Sequence, residues 1–248
     1  MRTLSASLRL CLLSFGLLAG CSSSKPAPDK AEAVVVIHGL GRTPTSMKLL
    51  ASRIEDAGYS VTNFGYPSKS EPIEELTSLL GAELEERFGE DAKSVHFVTH
   101  SMGGILVRSY LSQQPAPHAG RVVMLSPPNQ GSEIIDAFAD SALLRSILGP
   151  AGMKLGTEPD GIANVLGPVR FELGVITGDR SLSPLGSWLI PGPDDGKVSV
   201  ESAEVEGLSD FRVLHATHTF IMNRRDVADE VVHFLEQGEF LPLESEDD

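Results

Sequence analysis

The sequence predicts an α/β domain with a mostly parallel central sheet and helices on both faces. Three observations carry that prediction. Runs such as Ala33–Ile37 and Val122–Leu125 are apolar throughout rather than at alternate positions, the pattern of strands covered on both faces. Segments with helical spacing lie between these runs, so strands and helices alternate as in βαβ units. The stretch Val95-His96-Phe97-Val98-Thr99-His100-Ser101-Met102-Gly103-Gly104 then takes a strand through a tight turn into the helix-forming run 105–111. A serine in such a turn stands clear of the sheet edge, its hydroxyl and the following N–H facing the same space.

A chain of 248 residues can bury a sizeable core without a second domain, and 41% hydrophobic content suits a globular body. The net charge of −14 argues against nucleic acid as a partner, because phosphate binding needs a basic surface. The acidity of 71–91 and of the tail 244–248 reads as a solvated helix face and a polar end. Residues 1–20 have a basic start (Arg2, Arg9), an apolar run at 10–18 and small residues before Cys21. That run is too short to span a bilayer and ends as a signal cleavage site does. It resembles a bacterial lipoprotein signal peptide, which implies that Cys21 becomes the lipidated first residue and anchors the protein to a membrane through acyl chains. Ser22, in place of aspartate, implies a bacterial envelope protein at the outer membrane, facing the periplasm. The only other cysteine, Cys11, lies inside the signal, so no disulfide is expected. Polar, proline-bearing residues 21–31 read as a tether, 32–240 as the folded domain and 241–248 as an acidic tail.

Within the domain, strand 33–37 leads into His38-Gly39-Leu40-Gly41, a turn that lets backbone N–H groups face a ligand. Residues 45–58 have helical spacing, 59–66 read as a second strand, and 71–88 as an acidic amphipathic helix. After the serine turn come the strand 121–125 and the loop 126–132, a pocket wall. Residues 133–170 are the least regular: one or two helices, then a glycine- and proline-rich stretch, expected to form a small cap or lid. A strand at 171–178, a loop containing Trp188, a last strand at 211–215 and a closing helix at 226–234 complete the domain.

A serine hydroxyl is a poor nucleophile until an imidazole takes its proton and a carboxylate holds that imidazole. Ser101 is the candidate nucleophile; the bases on offer are His215 and His218, and the acids Asp179, Asp194 and Asp195. His218 is favoured because it lies beyond the last strand, where a loop can reach the serine. The spacing of His215 and His218 would suit a metal pair, but no third ligand accompanies them, so neither metal nor cofactor is expected.

The order Ser101, Asp195, His218 resembles the α/β-hydrolase superfamily, in its lipase and esterase branch of small bacterial enzymes. The glycine turn, the elbow His100-Ser101-Met102-Gly103-Gly104, Pro128-Asn129-Gln130-Gly131-Ser132, Asp195-Gly196-Lys197-Val198 and His218-Thr219-Phe220 carry the resemblance across the domain. It implies an α/β-hydrolase fold, Asp195 as the acid because the family places its acid in an Asp-Gly turn, and the N–H groups of Leu40 and Met102 as the oxyanion hole. It also implies hydrolysis of carboxylic esters, of lipid type given the membrane anchor, through an acyl-enzyme. Acyl transfer by the same residues and a non-catalytic binding protein of the same fold are the alternatives. Thr99 stands where the family's elbow usually has glycine, and a β-branched side chain there is expected to relax the elbow or narrow the pocket.

Overall fold

A computed structural model describes residues 32–89, 94–113 and 119–243. The signal, Cys21, the tether and the last five residues of the tail lie outside them. Six strands form one sheet in the order β2-β1-β3-β4-β5-β6, every neighbouring pair parallel. They are β1 (Ala33–Ile37), β2 (Ser60–Phe64), β3 (Val95–His100), β4 (Ala119–Leu125), β5 (Leu173–Gly178) and β6 (Asp210–Leu214).

The apolar runs become strands because both sheet faces are covered. Side chains alternate across a strand, so Val35 and Ile37 join one core with Phe97, Val122, Met124, Leu173 and Val175. Val34 and Val36 point the other way, into a second core with Val98, Val123, Leu125 and Ile176. Helices α2 (Ile73–Phe88) and α3 (Met102–Gln113) close the first face, and α1 (Lys48–Asp56) and α9 (Arg225–Gln237) the second. In α9 the stripe Val227, Val231 and Phe234 is fully buried, each side chain contributing roughly 1.5–3 kcal/mol.

The main boundaries fall within a few residues of the sequence expectation, with three differences. A 3-10 turn (Pro44–Met47) precedes α1, because Pro44 fits a helical start but not the interior of a long helix. The β4–β5 insertion holds three short helices, α4 (Glu133–Ala137), α5 (Ala142–Met153) and α6 (Ile162–Leu166). The chain bends within α5 at Gly149, where φ is 68° and an added Cβ would sit 1.8 Å from the Lys69 carbonyl oxygen. The stretch containing Trp188, expected as loop, carries α7 (Pro184–Leu189), followed by α8 (Val200–Ala203). Ser183 and Ser199 cap these two helices by accepting from the N–H groups of Gly186 and Ser202. No helix among the described residues is long and apolar enough to cross a membrane.

Candidate active site

The chain passes from β1 outward to β2 and returns across β1 to β3, so the strand order reverses between β1 and β3. Ligands of open α/β sheets settle in the crevice at the carboxyl ends of such strands. Ser101 lies there, between the end of β3 and the start of α3, with φ at 53°. That left-handed conformation costs a side-chain-bearing residue about 1–3 kcal/mol and persists only where the surroundings fix it. Here the Ser101 N–H donates to the Leu125 carbonyl (2.9 Å), and the Ser101 carbonyl accepts from Gly104 N–H (2.9 Å). The elbow also packs backbone to backbone against the end of β1. A Cβ at Gly103 would lie 2.8 Å from the His38 carbonyl oxygen, and one at Gly39 would lie 2.9 Å from the Ser101 Cβ.

His218 follows β6 and Asp195 lies between β5 and β6. The His218 Nδ1–H donates to Asp195 Oδ2 at 2.8 Å, and His218 Nε2 lies 3.1 Å from Ser101 Oγ. An ionised carboxylate can only accept, so the proton belongs on Nδ1 and the free Nε2 lone pair faces the serine hydroxyl. The Asp195 and His218 side chains are almost wholly enclosed. Burial alone would raise the Asp195 pKa, but the His218 charge and hydrogen bond, with the Val198 N–H, outweigh it and hold the carboxyl below its ordinary value. Its Oδ1 accepts from the N–H groups of Lys197 (3.0 Å) and Val198 (2.9 Å), and its carbonyl from His218 N–H (2.9 Å).

Of the other candidate acids, Asp194 shapes the turn by accepting from Gly196 N–H (2.7 Å) and Ser187 Oγ (3.1 Å). Asp179 bonds His215 Nδ1 at 2.9 Å in an exposed pair. His215, expected to end the last strand, lies one residue beyond it, because pairing with β5 stops at Gly178–Leu214. His38 stacks on Tyr66 (centroids 4.4 Å apart), and its carbonyl accepts from the Tyr66 hydroxyl at 2.7 Å. Gly41 N–H donates to Ser68 Oγ (3.0 Å) and Arg42 N–H to the Gly39 carbonyl (3.2 Å). Among the described residues, no turn or cap hydrogen bond engages the N–H of Leu40 or Met102.

Thr99 does not relax the elbow. It is fully buried within β3, paired with Ile37 and Met124, while Ser101 keeps its left-handed φ. The backbone approaches that demand glycine fall instead at Gly39 and Gly103.

Several residues support the Ser101 cluster from outside it. His100 Nε2–H donates to the His218 carbonyl (3.0 Å), with the two rings 4.9 Å apart. Burial first, then the neighbouring His218, keeps His100 neutral, its pKa well below 6.5. The loop 126–132 braces the turn that carries Asp195, because Ser132 Oγ donates to the Lys197 carbonyl at 3.0 Å. Asn129 is gripped by the buried Arg108, whose guanidinium also donates to the carbonyls of Ala163 (3.1 Å) and Gly167 (2.7 Å). A charged residue directly after the apolar run Ile105-Leu106-Val107 was the one legible sign of this network. A cavity of about 850 Å³ lies elsewhere, at the amino-terminal ends of the strands, and shares no lining residue with the Ser101 cluster.

A parallel sheet in this order, with a serine elbow after β3 and a carboxylate-held histidine reaching it from beyond β6, defines an α/β hydrolase. Residues 34–195 match the model of the alpha/beta hydrolase family, and the chain belongs to that family. The mature lipase BlEst2 of Bacillus licheniformis is similar in structure (TM-score 0.64, 20% identity), over 80% of this chain and 88% of that one. Phospholipase PlaB of Legionella pneumophila gives a TM-score of 0.67 at 14% identity, over 84% of this chain and 59% of that one. For the metagenomic carboxyl esterase MGS0156 the TM-score is 0.60 at 20% identity, over 80% and 69%. At these identities the likeness is one of fold. No curated protein matches the chain in sequence.

Proposed function

We propose that the protein is a carboxylic ester hydrolase with Ser101 as nucleophile, His218 as general base and Asp195 as the acid that holds it. The observation that carries this reading is the continuous chain Asp195 Oδ2–His218–Ser101 Oγ, ending on a serine in left-handed conformation. His218 Nε2 takes the hydroxyl proton as Ser101 attacks the ester carbonyl, and Asp195 stabilises the imidazolium that forms. The N–H groups of Leu40 and Met102 receive the oxyanion, each such donor being worth about 3–4 kcal/mol. His218 then passes its proton to the departing alcohol, and water, activated by the same nitrogen, releases the acid.

Lipid-type acyl esters are the favoured substrates. Phe138, Leu143 and Ile147 of the insertion, Leu185 and Trp188 of α7, and Phe220 beside His218 are all exposed; Trp188 reaches 80% and Leu143 72%. Solvent-facing apolar side chains on the segments next to a site suit an apolar substrate. The lipase and phospholipase named among the structural neighbours agree with this choice. The insertion serves as the cap over the substrate. The signal-like residues 1–20 and Cys21 complete the proposal with a lipid anchor in the bacterial envelope, at the outer membrane and facing the periplasm.

Fluorophosphonate labelling of the protein beside Ser101→Ala, with hydrolysis followed across acyl lengths, tests the chemistry. Labelling should vanish in the variant and turnover should drop by roughly 10⁶. A folded protein that takes no label, even with detergent present, would return the chain to the class of binding proteins on this fold. Incorporation of labelled palmitate, abolished by Cys21→Ala, tests the anchor.

A further inference from the structure

Two cations stand at this site in a protein of net charge −14. Arg42 follows the glycine turn and reaches across to the base, its Nη2–H donating to the carbonyl of Thr219, one residue after His218 (3.0 Å). Lys197 lies two residues after Asp195, with its N–H held by Asp195 Oδ1 and its carbonyl by Ser132 Oγ, so its backbone is pinned. Among the described residues, neither side chain has a carboxylate within ion-pairing distance. The two charges also feel each other. Burial, and then Arg42, hold the Lys197 ammonium below its usual pKa, with Asp195 opposing them. Both cations act on His100, the ring beneath His218. The Asp195 carboxylate is already engaged by His218 and by the N–H groups of Lys197 and Val198, which leaves both cations able to attract a further anion.

Their position says which part of a substrate they would meet. In serine ester hydrolysis the base hands its proton to the departing alcohol, so the alcohol lies on the histidine side of the serine. Arg42 is bonded to the base loop and Lys197 belongs to the acid turn, so both stand on that side. We propose that the substrate is an acyl ester whose alcohol carries a phosphate, as in a glycerophosphate ester, and that Arg42 and Lys197 bind that phosphate. The guanidinium keeps donors beyond the one given to Thr219, and its planar fork matches two phosphate oxygens, while the ammonium supplies a point charge. The proposal rests on the ester hydrolase reading and narrows it to one substrate class.

The test compares two esters of one short acyl chain, kept below their micellar concentrations: 1-acylglycerol 3-phosphate and 1-monoacylglycerol. The readout is the ratio of their kcat/KM values, which cancels damage common to both. The full-length protein should favour the phosphate ester by about tenfold or more, less so in ~0.5 M salt. Lys197→Gln and Arg42→Gln should each lower the ratio by roughly tenfold, and Arg42→Lys should retain most of it. Lys197→Gln is the cleaner variant, since Lys197 fixes its turn through the backbone alone. A ratio near one, or a ratio the two variants leave unchanged, would overturn the proposal. So would failure to cleave either ester while Ser101 still takes the fluorophosphonate label, with the hydrolase reading intact. If Ser101 takes no label, that reading falls and the proposal with it.

Discussion

Asp195 and Asp179 each bond a histidine Nδ1, at 2.8 and 2.9 Å, and burial separates them. The Asp195 side chain is fully enclosed, whereas that of Asp179 is 38% exposed and its partner His215 73%. A charge–imidazole pair open to solvent is worth little, while an enclosed one can set the tautomer of a base. Asp195→Asn should therefore lower ester turnover by roughly 10⁴, and Asp179→Asn should leave it within about twofold. The opposite outcome in steady-state assays would move the acid to Asp179. Thr99 permits a second prediction. Its hydroxyl is buried with no hydrogen-bond partner among the described residues, on a side chain otherwise suited to a strand. Thr99→Val removes that hydroxyl at nearly constant shape, so it should raise Tm by about 2–4 °C without altering turnover. A lowered Tm would show that the hydroxyl is satisfied in solution. At this scale the sequence singled out Ser101 by its strand–turn–helix setting and His218 by its place after the last strand, while Asp195 was preferred to Asp179 and Asp194 through the family resemblance; the structure brings the three side chains together. The hydrogen bonds that support them could not be read from the sequence, since His100, Ser132 and Ser68 act through backbone atoms that are distant in sequence, which composition does not encode.

Arg108 joins three segments of the chain. Its guanidinium donates to Asn129 in the loop after β4, to Ala163 in α6 and to Gly167 beyond it, so one side chain of α3 fixes both the start and the exit of the insertion. Burial pushes its pKa down to about 10, and the charge is solvated by carbonyls rather than paired with a carboxylate. Arg108→Met keeps the apolar stem and strands those carbonyls, at a cost of about 3 kcal/mol, or roughly 5–10 °C in Tm. Hydrogen exchange should rise first across 133–170, and a variant that melted like the parent with unchanged exchange would show the insertion to be held by other contacts. The insertion also leans on the glycine turn, for a Cβ at Gly152 would meet Leu40 Cδ2 at 2.8 Å. Strands such as β1 and β4 were legible as continuous apolar runs, α3 as the run after the serine turn, and α1 and α2 by their helical spacing. Helices α6, α7 and α8 were not, being of four to six residues, too short for a period.

Taken as a whole, the molecule buries several ionisable groups that prefer water when charged. His38, His96 and His100 are held below the usual 6.5, in each case chiefly by burial. As pH falls, the unfolded chain binds protons at these positions before the folded one does. Their contribution to stability is complete above about 6.5 and shrinks as the pH drops toward their folded values. Asp195, held below 3.8, acts in the same direction at lower pH; its contribution is complete above its unfolded value and is lost as the pH falls through the folded one. Tm should thus decline between about pH 7 and 5, ahead of any carboxylate effect. His100→Gln, which keeps an N–H for the His218 carbonyl but does not titrate, should flatten that decline, and an unaltered slope would remove His100 from the account. The alternation of strands and helices made the parallel sheet legible from the sequence, but not this pH response, which depends on how deeply each ring is buried. The order of the strands has one more consequence. Ser101 and His218 stand 117 residues apart in the chain, and the strand that delivers the histidine is the last to be synthesised. Contacts so remote in sequence form late in folding, so a chain emerging from the ribosome carries its serine long before the imidazole that can activate it. On the proposed reading, ester cleavage waits until the whole sheet is in place.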